Sequence, residues 1–162
     1  MEPTMRAARY EDAAAWAEIY NQGIEERQAT FETEPRNASD LMANIERTIV
    51  AECDGRIVGW ASITPYSSRE AYKGVGEFSI YVDRAARGSG VGRRLLTHLA
   101  VFAERQGYHK LTSKIFPENE ASLALMRSCG FRDVGIHRRH ARLDGDWRDV
   151  VVVERLLGEA AR

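Results

Sequence analysis

Three β-rich runs follow one another between residues 49 and 83 with no helix between them, and nothing else in the sequence restricts the fold so much. "IVAECDGRIVGWASITPY" reads as two strands about Asp54-Gly55, a dipeptide suited to the positive φ angles of a tight hairpin. The polar loop "SSREAYKGVG" leads into the third run, "EFSIYVD". A doubly wound parallel sheet needs a crossover between neighbouring strands, so three strands in sequence argue against it. The segment that follows, "SGVGRRLLTHLAVFAERQG", is the best helix in the chain. Val91, Leu95, Leu99 and Phe102 recur at helical spacing, and Gly107 stands where the helix would end.

The remaining elements fall on either side. "TMRAARY" predicts an opening strand. "EDAAAWAEIYNQGIEERQ" predicts a helix that weakens at Gly23, and "ATFETEPRN" a loop. "SDLMANIERT" predicts a short helix capped by Ser39 or Asp40, with Leu41 and Ile45 on one face. Later come a strand in "HKLTSKIF", a helix opening at Asn119 with Leu123 and Met126 inward, and two final strands about Asp144-Gly145. The order β-α-α-β-β-β-α-β-α-β-β is that of an α+β fold. Its central sheet, of about seven strands, is mixed and mostly antiparallel, with helices on both faces.

At 162 residues, positions 1–162 read as one domain. A formal net charge of −1 gives no electrostatic reason to expect nucleic acid as a partner. No run of about 18 uncharged apolar residues is present, so no membrane span is expected. The N-terminus carries acids early and lacks an unbroken apolar core, which predicts no secretory signal and a cytoplasmic protein. Cys53 and Cys129 lie far apart without a CxxC pattern and are expected as reduced packing residues.

The strand "EFSIYVD" is joined to the long helix through "RGSGVG", residues 87–92. A helix N-terminus offers about four N–H groups without intrahelical partners and a partial positive charge. Glycines let a bulky anion approach those groups, Ser89 can cap the helix or donate to an oxyanion, and Arg87, Arg93 and Arg94 add charge. The spacing matches neither a P-loop, which needs Lys after its last glycine, nor the GxGxxG dinucleotide fingerprint. A glycine-rich turn without a ligand is the alternative.

Strand, RGxGxG and amphipathic helix together resemble the coenzyme A motif of the GNAT superfamily of N-acetyltransferases. "NEASLALMRSCGF" is similar to the Asn-containing segment that follows the fifth strand in that family. The likeness extends over nearly the whole chain. The segments "IYNQGI", "ATFETEP", "EFSIYVD", "FPENEAS" and "GDWRDVVVVERL" resemble the phosphinothricin/methionine sulfoximine group. The spellings "IFPENEAS" and "RRHARLDGDWRDVVVVERLL" are most like its arsinothricin-resistance branch.

The resemblance implies acetyl-CoA as co-substrate, with its pyrophosphate on the N–H groups of Gly88, Ser89, Gly90, Val91, Gly92 and Arg93, and Arg87 beside it. The pantetheine arm would pair like a strand with Ile80, Tyr81 and Val82, and Asn119 and Ser122 would meet the same arm. Glu77 is implied as the general base that takes a proton from the acceptor amine, which is charged at neutral pH. Strand alternation sends Glu77 and Ser79 to one face and Phe78 to the other. Many members carry a tyrosine in the later helix to protonate the thiolate; here that position is Met126, which cannot donate. The acceptor implied is a small glutamate-like amino acid with a second anionic head, for which arginine is the usual partner; the alternatives are a peptide N-terminus or polyamine as acceptor, and a non-catalytic acyl-CoA-binding module.

Arg69 is the first candidate for that anion, with Tyr66 and Tyr72 as walls, Phe31 closing the pocket, and Glu77, Phe78 and Ser79 beneath it. Arg69 also reads as a solvated loop charge and Phe31 as a core residue. "HRRHAR" holds His137 and His140 at i and i+3, which a regular strand would set on opposite faces; with no third ligand nearby, no metal is expected. The family is commonly dimeric, so a homodimer is implied.

Overall fold

The computed structural model describes residues 2–162. Strands β1 (Thr4–Ala7), β2 (Thr48–Cys53), β3 (Arg56–Pro65), β4 (Val75–Val82), β5 (Lys110–Ile115), β6 (Arg132–Leu143) and β7 (Asp146–Leu156) form one sheet in the order β1-β2-β3-β4-β5-β7-β6. Neighbours are antiparallel except β4 and β5. Both expected hairpins form. Asp54 and Gly55 take φ 53° and 76°, and Asp144 and Gly145 take 51° and 87°, the left-handed pair whose twist matches the flanking strands.

Three α-helices, α1 (Ala13–Glu26), α2 (Val91–Arg105) and α3 (Glu120–Ser128), flank the sheet. Helices α2 and α3 cover one face: Leu95, Leu96, Leu99 and Met126 are buried against Ile49, Ala61, Ile63 and Phe78 of the strands. Each such leucine removes enough apolar area from water to contribute about 1.5–3 kcal/mol. On the other face, Trp16 of α1 and Leu41 pack on Val50 and Trp60. Helix α1 lies over β3 and β4, and leaves Lys114 and nearly all of β6 exposed.

Two local expectations change. Residues Ala38–Arg47 form 3-10 turns rather than an α-helix, broken at Asn44 (φ −140°, ψ 20°). Asn44 uses its side-chain amide to donate to the Ile63 carbonyl (2.9 Å), while its own carbonyl accepts from the Thr48 hydroxyl (2.8 Å); these tertiary bonds override the helical repeat. The cap is Asn37, whose N–H donates to the Asp40 carboxylate (3.0 Å). Helix α1 does not weaken at Gly23. A Cβ there would lie 2.6 Å from the Tyr81 ring, so this glycine is where β4 packs closest to the helix. No helix among the described residues is long and apolar enough to cross a membrane, and no disulfide joins Cys53 and Cys129.

Candidate active site

Strands β4 and β5 pair only at Val75↔Lys110, Gly76↔Leu111 and Glu77↔Thr112, and then part. The Ser113 hydroxyl still reaches the Phe78 carbonyl (2.9 Å), so this carbonyl points toward β5. Ile80 repeats its direction two residues on, with no strand to meet it. The result is a cleft bounded by β4 and the glycine loop on one side and by α3 on the other.

At its outer end the cleft has a volume of about 430 Å³, with Ile80, Val82, Arg87, Gly90, Ser122 and Leu125 in its walls. Gly88 (φ +80°) and Gly90 (φ +89°) are left-handed, and a Cβ on either would meet nothing within 4 Å. Their freedom therefore serves backbone conformation and open approach, not packing. Gly90 caps α2 without a side-chain hydrogen bond, so the first N–H groups of the helix face the cleft mouth unpartnered. Gly92 differs: its Cβ would lie 3.0 Å from the Leu125 side chain, and it lets α2 approach α3. Ser89 does not cap the helix; its hydroxyl turns back to the Ala86 carbonyl.

Arg87 does not hang free over this loop. It makes a two-pronged ion pair with Glu26 at the end of α1 (2.7 and 2.9 Å), and its Nε donates to the Val82 carbonyl (3.3 Å). The guanidinium holds the Glu26 carboxyl below the usual carboxylate range. Arg84 pairs with Glu25 (3.2 Å), and Gln22 accepts from the Arg84 N–H (2.9 Å) while donating to Asp83 (3.2 Å). The last turns of α1 thus fasten the approach to the glycine loop. Arg93 is exposed beside it.

Further in, Asn119 caps α3, its side-chain oxygen accepting from the Ser122 N–H (3.2 Å), and donates across the cleft to the Gln28 carbonyl (3.2 Å). Tyr81 lends this region its backbone. Its ring is turned to the α1 side, 4.9 Å from both Tyr20 and Trp60, and burial raises the pKa of its hydroxyl.

A groove of about 660 Å³ opens on the sheet face that α2 and α3 do not cover, and Tyr66, Tyr72, Lys114, His137 and His140 are among its walls. Glu77, at the last paired position of β4, forms an ion pair with Lys114 of β5. Lys114 lines both the groove and the narrow inner end of the cleft, where Ser79, Asn119 and Ser122 also lie. The expected pocket residues are distributed unevenly. Tyr66 and Tyr72 stack edge to face (centroids 6.1 Å apart) in the groove wall. Phe31 stacks edge to face on Phe116 (4.9 Å) beside buried Leu143 and Val150, and so is part of a small core. Phe78 is 3% exposed and lies 5.3 Å from the Phe131 ring, so its side chain belongs to the α2/α3 core and only its backbone faces the cleft. Arg69 is exposed at the start of the 3-10 turn Glu70–Tyr72 and is not in the groove wall.

The histidines also depart from expectation. The β6–β7 register slips between His137 and Ala141, and Arg139 takes φ 46° with its N–H donating to the Asp149 carboxylate (2.7 Å). This bulge brings His137 and His140 to the same side, stacked with centroids 4.7 Å apart. Among the described residues no group of three or more His, Cys, Asp or Glu is arranged to hold a metal ion.

Sequence reasoning missed Lys114 and Glu26. For Lys114 there was a signal: in "HKLTSKIF", the polar Lys110, Thr112 and Lys114 recur at every second position of the strand. For Glu26 there was none, since Arg87 lies 61 positions away.

A splayed strand pair that ends at a glycine-lined helix N-terminus, with a carboxylate where the strands part, defines the cleft of a coenzyme A-dependent acyltransferase. The chain belongs to the acetyltransferase (GNAT) family, whose sequence profile matches residues 11–131. It is 33% identical over 162 residues to the phosphinothricin N-acetyltransferase of Alcaligenes faecalis, covering 95% of this chain and 82% of that protein. It is 30% identical over 165 residues to the L-methionine sulfoximine/L-methionine sulfone acetyltransferase of Salmonella typhimurium, covering 98% and 96%. An acetyltransferase structure from Salmonella typhimurium, solved with acetyl-CoA, superposes with a TM-score of 0.92 at 30% identity, covering 100% of this chain and 98% of that one. The protein is an N-acetyltransferase with acetyl-CoA as its co-substrate.

Proposed function

We propose that this enzyme acetylates the α-amine of a small glutamate-like amino acid of the phosphinothricin, arsinothricin or methionine sulfoximine type, and so detoxifies it. The observation that carries the reading is the Glu77–Lys114 ion pair where β4 and β5 part, with Lys114 lining both the acyl-CoA cleft and the open groove. Acetyl-CoA supplies an activated acyl thioester. The open N–H groups of residues 88–93 hold its pyrophosphate, with Arg87 fixed beside them by Glu26. The free edge of β4 at Ile80, Tyr81 and Val82 takes the amides of its arm, as an added strand would, with Asn119 and Ser122 opposite.

In this reading the acceptor enters by the groove that Tyr66 and Tyr72 wall, toward Ser79 at the inner end of the cleft. Glu77 takes a proton from its ammonium, because only the neutral amine attacks. The N–H of Ile80 stabilises charge on the acyl oxygen. Met126 is wholly buried and carries no proton, so the departing thiolate takes its proton from water in the cleft or from a hydroxyl such as that of Ser122 or a nearby tyrosine. Acyl transfer is direct, without a cysteine intermediate. Acetylation removes the ammonium charge by which a target enzyme would grip the amino acid. In this reading the enzyme works in the cytoplasm as a homodimer.

The test is a steady-state comparison, with acetyl-CoA, of phosphinothricin, arsinothricin, methionine sulfoximine and a short peptide. At least one small acid is expected to exceed the peptide in kcat/KM by about 100-fold or more. Acetylation of the peptide alone would overturn the reading.

A further inference from the structure

Nothing in the transfer steps above uses the ammonium of Lys114, yet it sits at their centre. It reaches from β5 to the Glu77 carboxylate across the line where the strands part, and it borders both cleft and groove. The two side chains are 37% and 34% exposed, so an incoming ligand can reach both. The other charged groups on this face are already engaged or stand apart. Lys110 (3.0 Å) and Arg132 (2.7 Å) share the Glu154 carboxylate, Arg148 pairs with Glu118 (3.2 Å), and His137 and His140 stack on each other.

An α-amino acid at neutral pH is itself a compact ion pair, an ammonium and a carboxylate on the same carbon. To act as base, Glu77 must first receive the acceptor's ammonium, and Lys114 then loses its counter-charge. Lys114, more than a third exposed, is then left to water, and the counter-charge nearest at hand to replace Glu77 is the acceptor's own carboxylate. Because the two ends of an α-amino acid are adjacent, they need partners that are adjacent too, and Glu77 and Lys114 are already in contact.

We propose that the Glu77–Lys114 ion pair holds the place of a zwitterion. One internal pair opens, two pairs to the acceptor form, and Lys114 binds the α-carboxylate. Lys114 thereby selects free amino acids over amines and peptide N-termini that lack an α-carboxylate. This rests on the small-amino-acid reading above and sharpens it.

The test compares phosphinothricin with its α-carboxamide, which keeps the amine and head group but removes the charge. Measuring both in wild type, Lys114→Gln and Lys114→Arg cancels the intrinsic difference in amine reactivity. Wild type is expected to prefer the acid in kcat/KM by about 30-fold, the size of one charge-assisted contact. Lys114→Gln is expected to shrink that preference to about threefold or less, and Lys114→Arg to keep most of it. An undiminished preference in Lys114→Gln, with both substrates falling together, would show that Lys114 only positions Glu77 and would overturn the proposal. So would a wild type indifferent between acid and amide. Where arsinothricin or methionine sulfoximine is the better acceptor, that acid and its α-carboxamide are compared instead, and a wild type that acetylates none of the three acids overturns the acceptor reading together with this one.

Discussion

Glu77→Gln is expected to lower kcat for acetyl transfer by about 100- to 10,000-fold while the affinity for acetyl-CoA changes by no more than about threefold. Glutamine fills the same space and keeps the β4 backbone, whose Glu77 carbonyl accepts from the Thr64 hydroxyl (3.4 Å), so the strand edge facing the cleft is preserved. What is lost is the capacity to accept a proton at the end of the paired part of β4 and β5, and no carboxylate lines the inner cleft to replace it. The unreacted ammonium then persists and cannot attack. Stopped-flow or steady-state release of the coenzyme A thiol reads the rate, and equilibrium titration reads the affinity. Unchanged turnover would remove Glu77 from the role of base.

Gly90→Val is expected to weaken acetyl-CoA binding by about 30-fold or more. Two effects combine. The native φ of +89° lies where a β-branched residue is strained by about 1–3 kcal/mol, and relief of that strain moves the loop. If the backbone instead holds its place, the new side chain stands in open space over the N–H groups proposed to receive the phosphates, since nothing lies within 4 Å of its Cβ. Gly55→Val is the control. Gly55 has φ +76° and the same open surroundings, in the β2–β3 turn away from the cleft. Both variants are expected to lose about 2–4 °C of Tm per kcal/mol of strain, but only Gly90→Val is expected to lose affinity. Equal affinity in a folded Gly90→Val would place the anion elsewhere.

What the sequence disclosed was what short-range chemistry decides. Asp54-Gly55 and Asp144-Gly145 specify their own turns, and the repeat from Val91 to Phe102 orients α2 whatever it packs on. The left-handed glycines of the loop were legible because Gly88 and Gly90 are placed there by backbone conformation. Interactions between distant segments were not. Nothing near Asn44 announces its bond to the Ile63 carbonyl, and Gly23 looks like a helix breaker until Tyr81 is laid against it. Two-residue alternation separates His137 from His140, and a bulge fixed by Asp149 brings them together. Arg69 was singled out for its charge, although the backbone there starts a 3-10 turn at the surface. Lys114, 37 positions from Glu77, meets it only because β4 and β5 run parallel before they part.

The central claim is that one cleft both holds acetyl-CoA and delivers its acetyl group directly to the α-nitrogen of a small acidic amino acid. A single turnover tests it most directly. Enzyme preloaded with one equivalent of acetyl-CoA is mixed with ¹⁵N-labelled phosphinothricin, and the nitrogen is followed by NMR while the protein mass is recorded. The expected result is an N-acetyl amide signal, with one coenzyme A thiol released per amide and no mass gained by the protein. Thiol release with the acetyl group left on the protein, or with the labelled amine unchanged, would contradict the claim.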